Sequence, residues 1–240
     1  MTKARVRLIA HTPNIMEVLY TACTTCYNSG SPVDKWQDVL FQPTGKEWQL
    51  IYKVFDSGHL STSEHISFTF AIDGISRACS HQLVRHRHCS FSQQSQRYVE
   101  IKEDRAKLTQ LYRSNHCELK KELRKYFVDV TDKTYLYYFD ALRNYIECIE
   151  KGMKAEDARN VLPNATKTNI VLTCNLRELM HICNERLCTR AQKEIRELVQ
   201  QMRNEVVGVC PELGKYLQPK CEILGYCREH KCCGRKEKLR

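Results

Sequence analysis

The stretch from Arg85 to Tyr98, RHRHCSFSQQSQRY, constrains this chain more than any other. Three arginines and two histidines stand among serines and glutamines, with Phe91 as the large apolar side chain. Like charges this close repel, so a fold keeps them together when an anion sits between them. Arginine's planar fork grips phosphate or carboxylate through two parallel hydrogen bonds. No glycine or proline interrupts the run, and an apolar-periodic segment leads into it, which predicts defined backbone rather than linker. A solvated basic rim is the plain alternative. The interleaved serines and glutamines favour an anion site, because such groups read the edges of a ligand.

A chain of 240 residues can bury a proper core, and the pattern predicts one principal core. Its net charge of +10, from 38 basic and 28 acidic residues, suits nucleotides, phosphorylated cofactors, nucleic acid or an acidic membrane face. The start, MTKARVRLIAHTPN, lacks an apolar signal core, and no stretch approaches the length of a membrane span. A cytoplasmic location is therefore expected. In that setting the 14 cysteines read as reduced thiols, most of them small apolar groups in helices and strands.

Hydrophobic alternation predicts strands over 6–10, 64–72 and 166–173. Helical spacing marks 15–26, 45–55, 74–84, 131–152, 155–162, 175–187 and 190–207, with 102–125 helical in part. Residues 30–44, with two prolines, read as a loop. The expected class is α+β, a small mixed or antiparallel sheet covered by several helices. Two segments are expected: a principal domain over residues 1–209, and a basic, cysteine-rich tail over 210–240.

Three further pieces share the polar, cationic character of the opening run. Ser57 to His65, SGHLSTSEH, offers hydroxyls and backbone N–H groups of the kind that cradle phosphate, although such a loop is commonly just a turn. Arg159 lies near a helix end stopped by Pro163, where an arginine often serves a carboxylate or the terminal carbonyls. On 175–190, Arg177, His181 and Asn184 share one face, while Leu176, Leu179, Met180, Cys183 and Leu187 line another. Glu178 and Glu185 could neutralise the arginines there as surface pairs, the plain alternative to the nucleotide pocket that such cationic and amide groups suit. No glycine-rich dinucleotide fingerprint, phosphate-loop lysine or HExxH is present, and nine glycines do not suit a doubly wound nucleotide fold. The tail cysteines, spaced C-x10-C-x5-C-x4-C-C, depart from paired zinc knuckles, so no metal ligand is assigned. Cys23 and Cys26 form a C-x-x-C inside an apolar helix pattern and read as core thiols rather than a redox pair.

Together these pieces resemble the flavin-dependent thymidylate synthases, whose signature is Arg-His-Arg, seven residues, then Ser. Here it stands as Arg85-His86-Arg87 and Ser95, within a match continuous from Ser63 to Tyr98 that resumes at Ala158 to Pro163 and Asn175 to Arg186. The resemblance implies an FAD enzyme that methylates dUMP to dTMP, with 5,10-methylenetetrahydrofolate as carbon donor and NADPH reducing the flavin. It implies that Arg186 faces the uracil edge as the catalytic residue. Gln82, Arg85, Gln93, Gln94, Ser95, Gln96, Arg97, Arg159 and Arg186 would contact dUMP. His59, Ser61, Arg85, His86, Arg87, Gln93, Asn175, Arg177 and His181 would hold FAD. It also implies a homotetramer whose pockets mix residues of several subunits, with no nucleic-acid or membrane partner. Gln93, Ser61 and His181 sit where relatives vary; Ser95 could be suspected as a nucleophile, and the resemblance gives it substrate hydrogen bonding only. The rival reading is a nucleic-acid-binding module, from the charge, the basic tail Lys231 to Arg240 and 12 tyrosines.

Overall fold

The computed structural model describes residues 4–239. Residues 1–3 of the N-terminal stretch and Arg240 of the basic tail lie outside them. Four strands, β1 (Arg5–His11), β2 (Ser67–Ser76), β3 (Cys89–Gln93) and β4 (Lys167–Asn175), form one sheet in the order β1-β2-β4-β3. Thr69 pairs with Thr173 through their hydroxyls at 2.9 Å, and the Gly74 N–H donates to Asn169 Oδ1 at 3.0 Å. The pairs run in opposite senses, so β2 and β4 are antiparallel. The expected α+β class is what the chain adopts.

The helices follow in chain order: α1 (Ile15–Thr25), α2 (Pro32–Phe41), α3 (Glu47–Asp56), α4 (Arg77–Leu83), α5 (Arg105–Ser114) and α6 (His116–Leu123). After them come α7 (Tyr135–Glu150), α8 (Ala155–Ala158), α9 (Leu176–Arg186), α10 (Lys193–Val209) and α11 (Lys220–Leu224). Among the described residues no helix is long and apolar enough to cross a membrane.

Two expectations change here. Residues 30–44 read as a loop, yet they hold α2. The Ser31 hydroxyl accepts from the N–H groups of Val33 and Asp34, and Pro32 takes the first helical position, where its missing N–H costs nothing. The strand expected over 64–72 runs instead from Ser67 to Ser76, because Leu60 to His65 form a 3-10 turn ahead of it. Gly74 lets β2 continue past the expected helix start: its φ is 77°, a conformation that a side chain would strain. The Ser76 hydroxyl then accepts from Cys79 N–H and starts α4.

Where the pattern predicts one principal core, the described chain divides into two compact units, with breaks inside all four strands. The first comprises residues 4–5, 72–85 and 92–170. Its core is apolar side chains of α5, α6 and α7, with Leu108, Leu119, Leu123, Phe139 and Leu142 essentially solvent-free. Tyr112 and Phe139 stack with ring centroids 4.7 Å apart. The Asn115 side chain ends α5 and caps α6 by accepting from Glu118 N–H, which splits the expected 102–125 helix in two.

The second unit comprises residues 6–71, 86–91 and 171–239. In it α1 packs on α2 and α3, and α9 packs on α10 and on the 3-10 turn Leu60–His65. Leu19, Ile51, Leu179, Leu198 and Met202 are fully buried. Asn175 caps α9, its Oδ1 accepting from Glu178 N–H at 2.9 Å.

Candidate active site

In the first unit, β3 decides where the glutamine-rich run points. Successive strand side chains face opposite sides. Gln93 therefore turns inward, where its Nε2 donates to Ser80 Oγ at 3.0 Å and Thr168 Oγ1 at 3.2 Å. Gln94 turns the other way, and with Gln96 it lines a cleft of about 520 Å³ together with Lys102, Lys125 and Lys167. The five residues Gln93 to Arg97 thus do not converge on one point within this unit. Ser95 Oγ accepts from Arg97 N–H at 3.2 Å, which makes it a turn-forming group.

Arg97 itself pairs with Glu156 at 3.0 Å, and Arg159 Nε donates to the Glu156 carbonyl at 3.0 Å. The latter is the bond to a helix carbonyl that the proline stop suggested. Gln82 closes α4, and exposed Arg85 follows with its N–H on the Gln82 carbonyl.

Arg77 belongs to the same set, although the sequence reading did not single it out. Half-buried at the start of α4, it has no carboxylate partner among the described residues. Burial, and then the like charge of Arg159, pulls its guanidinium below the ordinary value. Two guanidinium groups near each other without an intervening carboxylate are what an anion would neutralise.

The second unit holds a different arrangement. His86 is buried, at 5% exposure, and two residues of α9 close around it. Arg186 Nε donates to His86 Nε2 at 3.0 Å, and His86 Nδ1 lies 3.4 Å from Glu178 Oε1. A guanidinium N–H is always a donor, so Nε2 must accept and the imidazole proton must sit on Nδ1, toward Glu178. The imidazole is neutral in this arrangement. Burial first, then the charges of Arg186 and His181, hold its pKa down to about 4. The His86–Glu178 contact is therefore a neutral N–H on a carboxylate rather than an ion pair.

The plain alternative made Glu178 a surface partner of arginines; it is instead 7% exposed and faces inward. Its signal was available in the register, since it shares a side of α9 with buried Ile182 four residues on. A carboxylate in a core-facing position needs a partner. The His181 ring stands edge-on to His86, centroids 5.5 Å apart.

His86, Glu178 and His181 place donor atoms within 4.8 Å of one another, a spacing that a cation could exploit. The hydrogen bonding argues against one. Nε2 already accepts from a guanidinium, and that positive charge would repel a metal beside it.

Of the other residues expected to hold FAD, Arg85 and Gln93 belong to the first unit, and those in this unit present polar groups that are exposed or, for Asn175, half-buried. Ser61 lies in the 3-10 turn and Arg87 lies just before β3, both exposed. Arg177 is exposed and pairs with Glu64. His59 is exposed and meets the edge of Tyr27, centroids 6.2 Å apart. Asn175 spends its side-chain oxygen on capping α9. The set of guanidinium, imidazole and hydroxyl groups fits a diphosphate and a hydrogen-bonding heteroaromatic ring, held by side chains and not by a glycine loop.

Cys23 is buried against Thr62, its Sγ 3.6 Å from Thr62 Oγ1, whereas Cys26 is exposed. Burial raises the Cys23 thiol, as expected of a core residue.

Comparison with known proteins places this geometry. Residues 7–212 match the family model described as thymidylate synthase complementing protein. A flavin-dependent thymidylate synthase of Nitratidesulfovibrio vulgaris is 42% identical over 98% of this chain and 96% of its own length. One of Clostridium tetani is 38% identical over 94% and 90% respectively. Among solved structures, thymidylate synthase X of Helicobacter pylori with FAD and dUMP is 26% identical and superposes with a TM-score of 0.72, covering 91% of this chain and 99% of that one. The nucleic-acid-binding reading finds no support among these relatives. On the match of nearly its whole length, the chain belongs to the flavin-dependent thymidylate synthase family.

Proposed function

We propose that this protein methylates dUMP reductively to dTMP, using 5,10-methylenetetrahydrofolate as carbon donor, with FAD as cofactor and NADPH as reductant. The observation that carries the reading is the buried Glu178–His86–Arg186 chain, on a sequence of this family. C5 of uracil is a poor nucleophile, and making it attack carbon requires negative charge in the ring. A fixed guanidinium at the N3 and carbonyl edge stabilises that charge, and fixing it beforehand avoids reorganisation during the reaction.

Arg186 is given that role. His86 occupies its Nε edge, and Glu178 holds His86 in the tautomer that can accept, so the guanidinium plane is set by the fold. Gln82, Arg85, Gln94, Ser95, Gln96, Arg97 and Arg159 are assigned to dUMP, and Arg77 is added as a second cation for its phosphate. Gln93 acts from the inner face of β3, shaping the strand through Ser80 and Thr168 as well as meeting ligand. His59, Ser61, Arg85, His86, Arg87, Gln93, Asn175, Arg177 and His181 are assigned to FAD. Bound and reduced by NADPH, the flavin supplies the hydride equivalent, so the chain needs no covalent nucleophile. That agrees with Ser95, whose hydroxyl accepts a backbone N–H.

We further infer a cytoplasmic homotetramer, in which several subunits contribute to each pocket. The tail from residue 210 is taken as an appendage without a catalytic part. The test is anaerobic incubation of the FAD-loaded protein with dUMP, methylenetetrahydrofolate and NADPH. dTMP that depends on all three is expected. Bleaching of flavin by NADPH without dTMP would make the protein a flavin reductase instead.

A further inference from the structure

Beyond Pro219 the tail lacks the means to hold itself together by burial. Among residues 220–239 only Cys227 is buried, and α11 is a single short turn. Its backbone is nevertheless tied: Cys227 N–H donates to the Glu237 carbonyl at 2.7 Å, and Leu239 N–H to the Cys227 carbonyl at 2.9 Å. Short segments with defined backbone and no core are commonly stapled by disulfides or a metal.

The second unit contains a cavity of about 110 Å³ lined by four cysteines, Cys188, Cys221, Cys227 and Cys233. They come from three places: the turn after α9, α11, and the tail on either side of its last loop. Cys232 does not line the cavity, although its thiol lies against that of Cys227; its Sγ donates to the Lys236 carbonyl at 3.2 Å and accepts from the Gly234 N–H at 3.3 Å.

We infer that Cys188, Cys221, Cys227 and Cys233 form a tetrahedral site for a zinc-class divalent cation, which fastens the tail to the end of α9. A zinc tetrathiolate has Zn–S bonds of about 2.3 Å and hence sulfurs about 3.8 Å apart, which a cavity of this size holds. Among the described residues no three of these sulfurs lie within 4.8 Å of one another, so the proposed site requires them to close to about 3.8 Å on binding. On binding, four thiols release their protons and the centre carries two net negative charges. The walls suit that charge. Arg190, Lys220, Arg228, Lys231 and Arg235 line the cavity and outnumber its carboxylates, Glu185 and Glu229.

The spacing of the tail cysteines hid this arrangement. The fourth ligand, Cys188, lies 33 residues before Cys221, outside any knuckle pattern.

The test is elemental analysis of the FAD-loaded full chain, purified without chelator or a metal-affinity column. About one zinc per chain is expected, released by a mercurial reagent in step with about four thiols. Cobalt(II) exchanged into the protein should show thiolate charge-transfer absorption. Cys221→Ser and Cys233→Ser should lose the metal, and Cys232→Ser should keep it. If the serine variants are insoluble, the mercurial titration of the unaltered enzyme decides the matter. The proposal fails if purified protein carries less than about a tenth of an equivalent of zinc and takes up neither zinc nor cobalt. It also fails if iron and acid-labile sulfide are found in zinc's place, or if all the variants retain metal. None of these readouts depends on dTMP formation.

Discussion

The two compact units hold their arginines in opposite ways. In the second, Arg186 is committed: its Nε meets a buried imidazole that a buried carboxylate orients. In the first, Arg77 and Arg159 face one another's charge, and Arg97 shares Glu156 through a contact that is half open to solvent. A guanidinium that must act on a reacting ring benefits from being fixed in advance, since misplacement is paid at the transition state. Guanidinium groups that capture a phosphate can remain under mutual repulsion, because the ligand relieves it on arrival. The contrast separates chemistry from capture.

The largest effect should come from the committed arginine. Arg186→Ala is expected to lower kcat for dTMP formation by roughly 10²–10³-fold, the scale of losing one preorganised electrostatic contact. Flavin should remain bound and reducible by NADPH, as read by absorbance. Turnover within a few-fold of the parent would remove Arg186 from the chemistry and dissolve the contrast.

Next in size is the pH response of the imidazole that holds it. His86 titrates at the ordinary imidazole value of 6.5 when unfolded but at about 4 when buried beside Arg186 and His181. Between those values the unfolded chain binds the extra proton, so the neutral burial is fully tolerated above about pH 6.5. Stability then falls as pH drops toward 4, by on the order of 3 kcal/mol across the window. Urea unfolding from pH 7 to pH 5 measures it, with His86→Asn as the comparison because carboxylates also titrate in acid. The variant should show the shallower slope. Equal slopes would mean that His86 is not held neutral.

Much of this could be read from residue order, and the parts that could not have physical reasons. The amphipathic helices α1, α3, α7, α9 and α10 lie within a few residues of their expected spans, since an apolar stripe must be buried wherever the helix packs. α2 was hidden because proline reads first as a breaker, whereas Ser31-Pro32 is a helix start. The run Gln93 to Arg97 looks like one patch on paper, but strand alternation sends Gln93 inward and Gln94 outward. Arg186 and His86 are 100 positions apart, a pairing that no local pattern encodes. For Glu178, charge alone suggests the surface, while its register on α9 points to the core.

The smallest effect, and the sharpest test of the capture side, concerns Arg77. Methionine there keeps an unbranched stem for packing and removes the charge. If Arg77 serves the phosphate, Arg77→Met should raise KM for dUMP by about 10-fold, from the loss of one charge-assisted contact, and leave kcat little changed. The thermal midpoint of the substrate-free protein should hold or rise, because the variant relieves the repulsion with Arg159. Arg97→Met, which gives up a Glu156 partner, should not share that stabilisation. A destabilised Arg77→Met with an unchanged KM would make Arg77 a structural cation, held in the fold like Arg186, and the two units would then differ in burial alone.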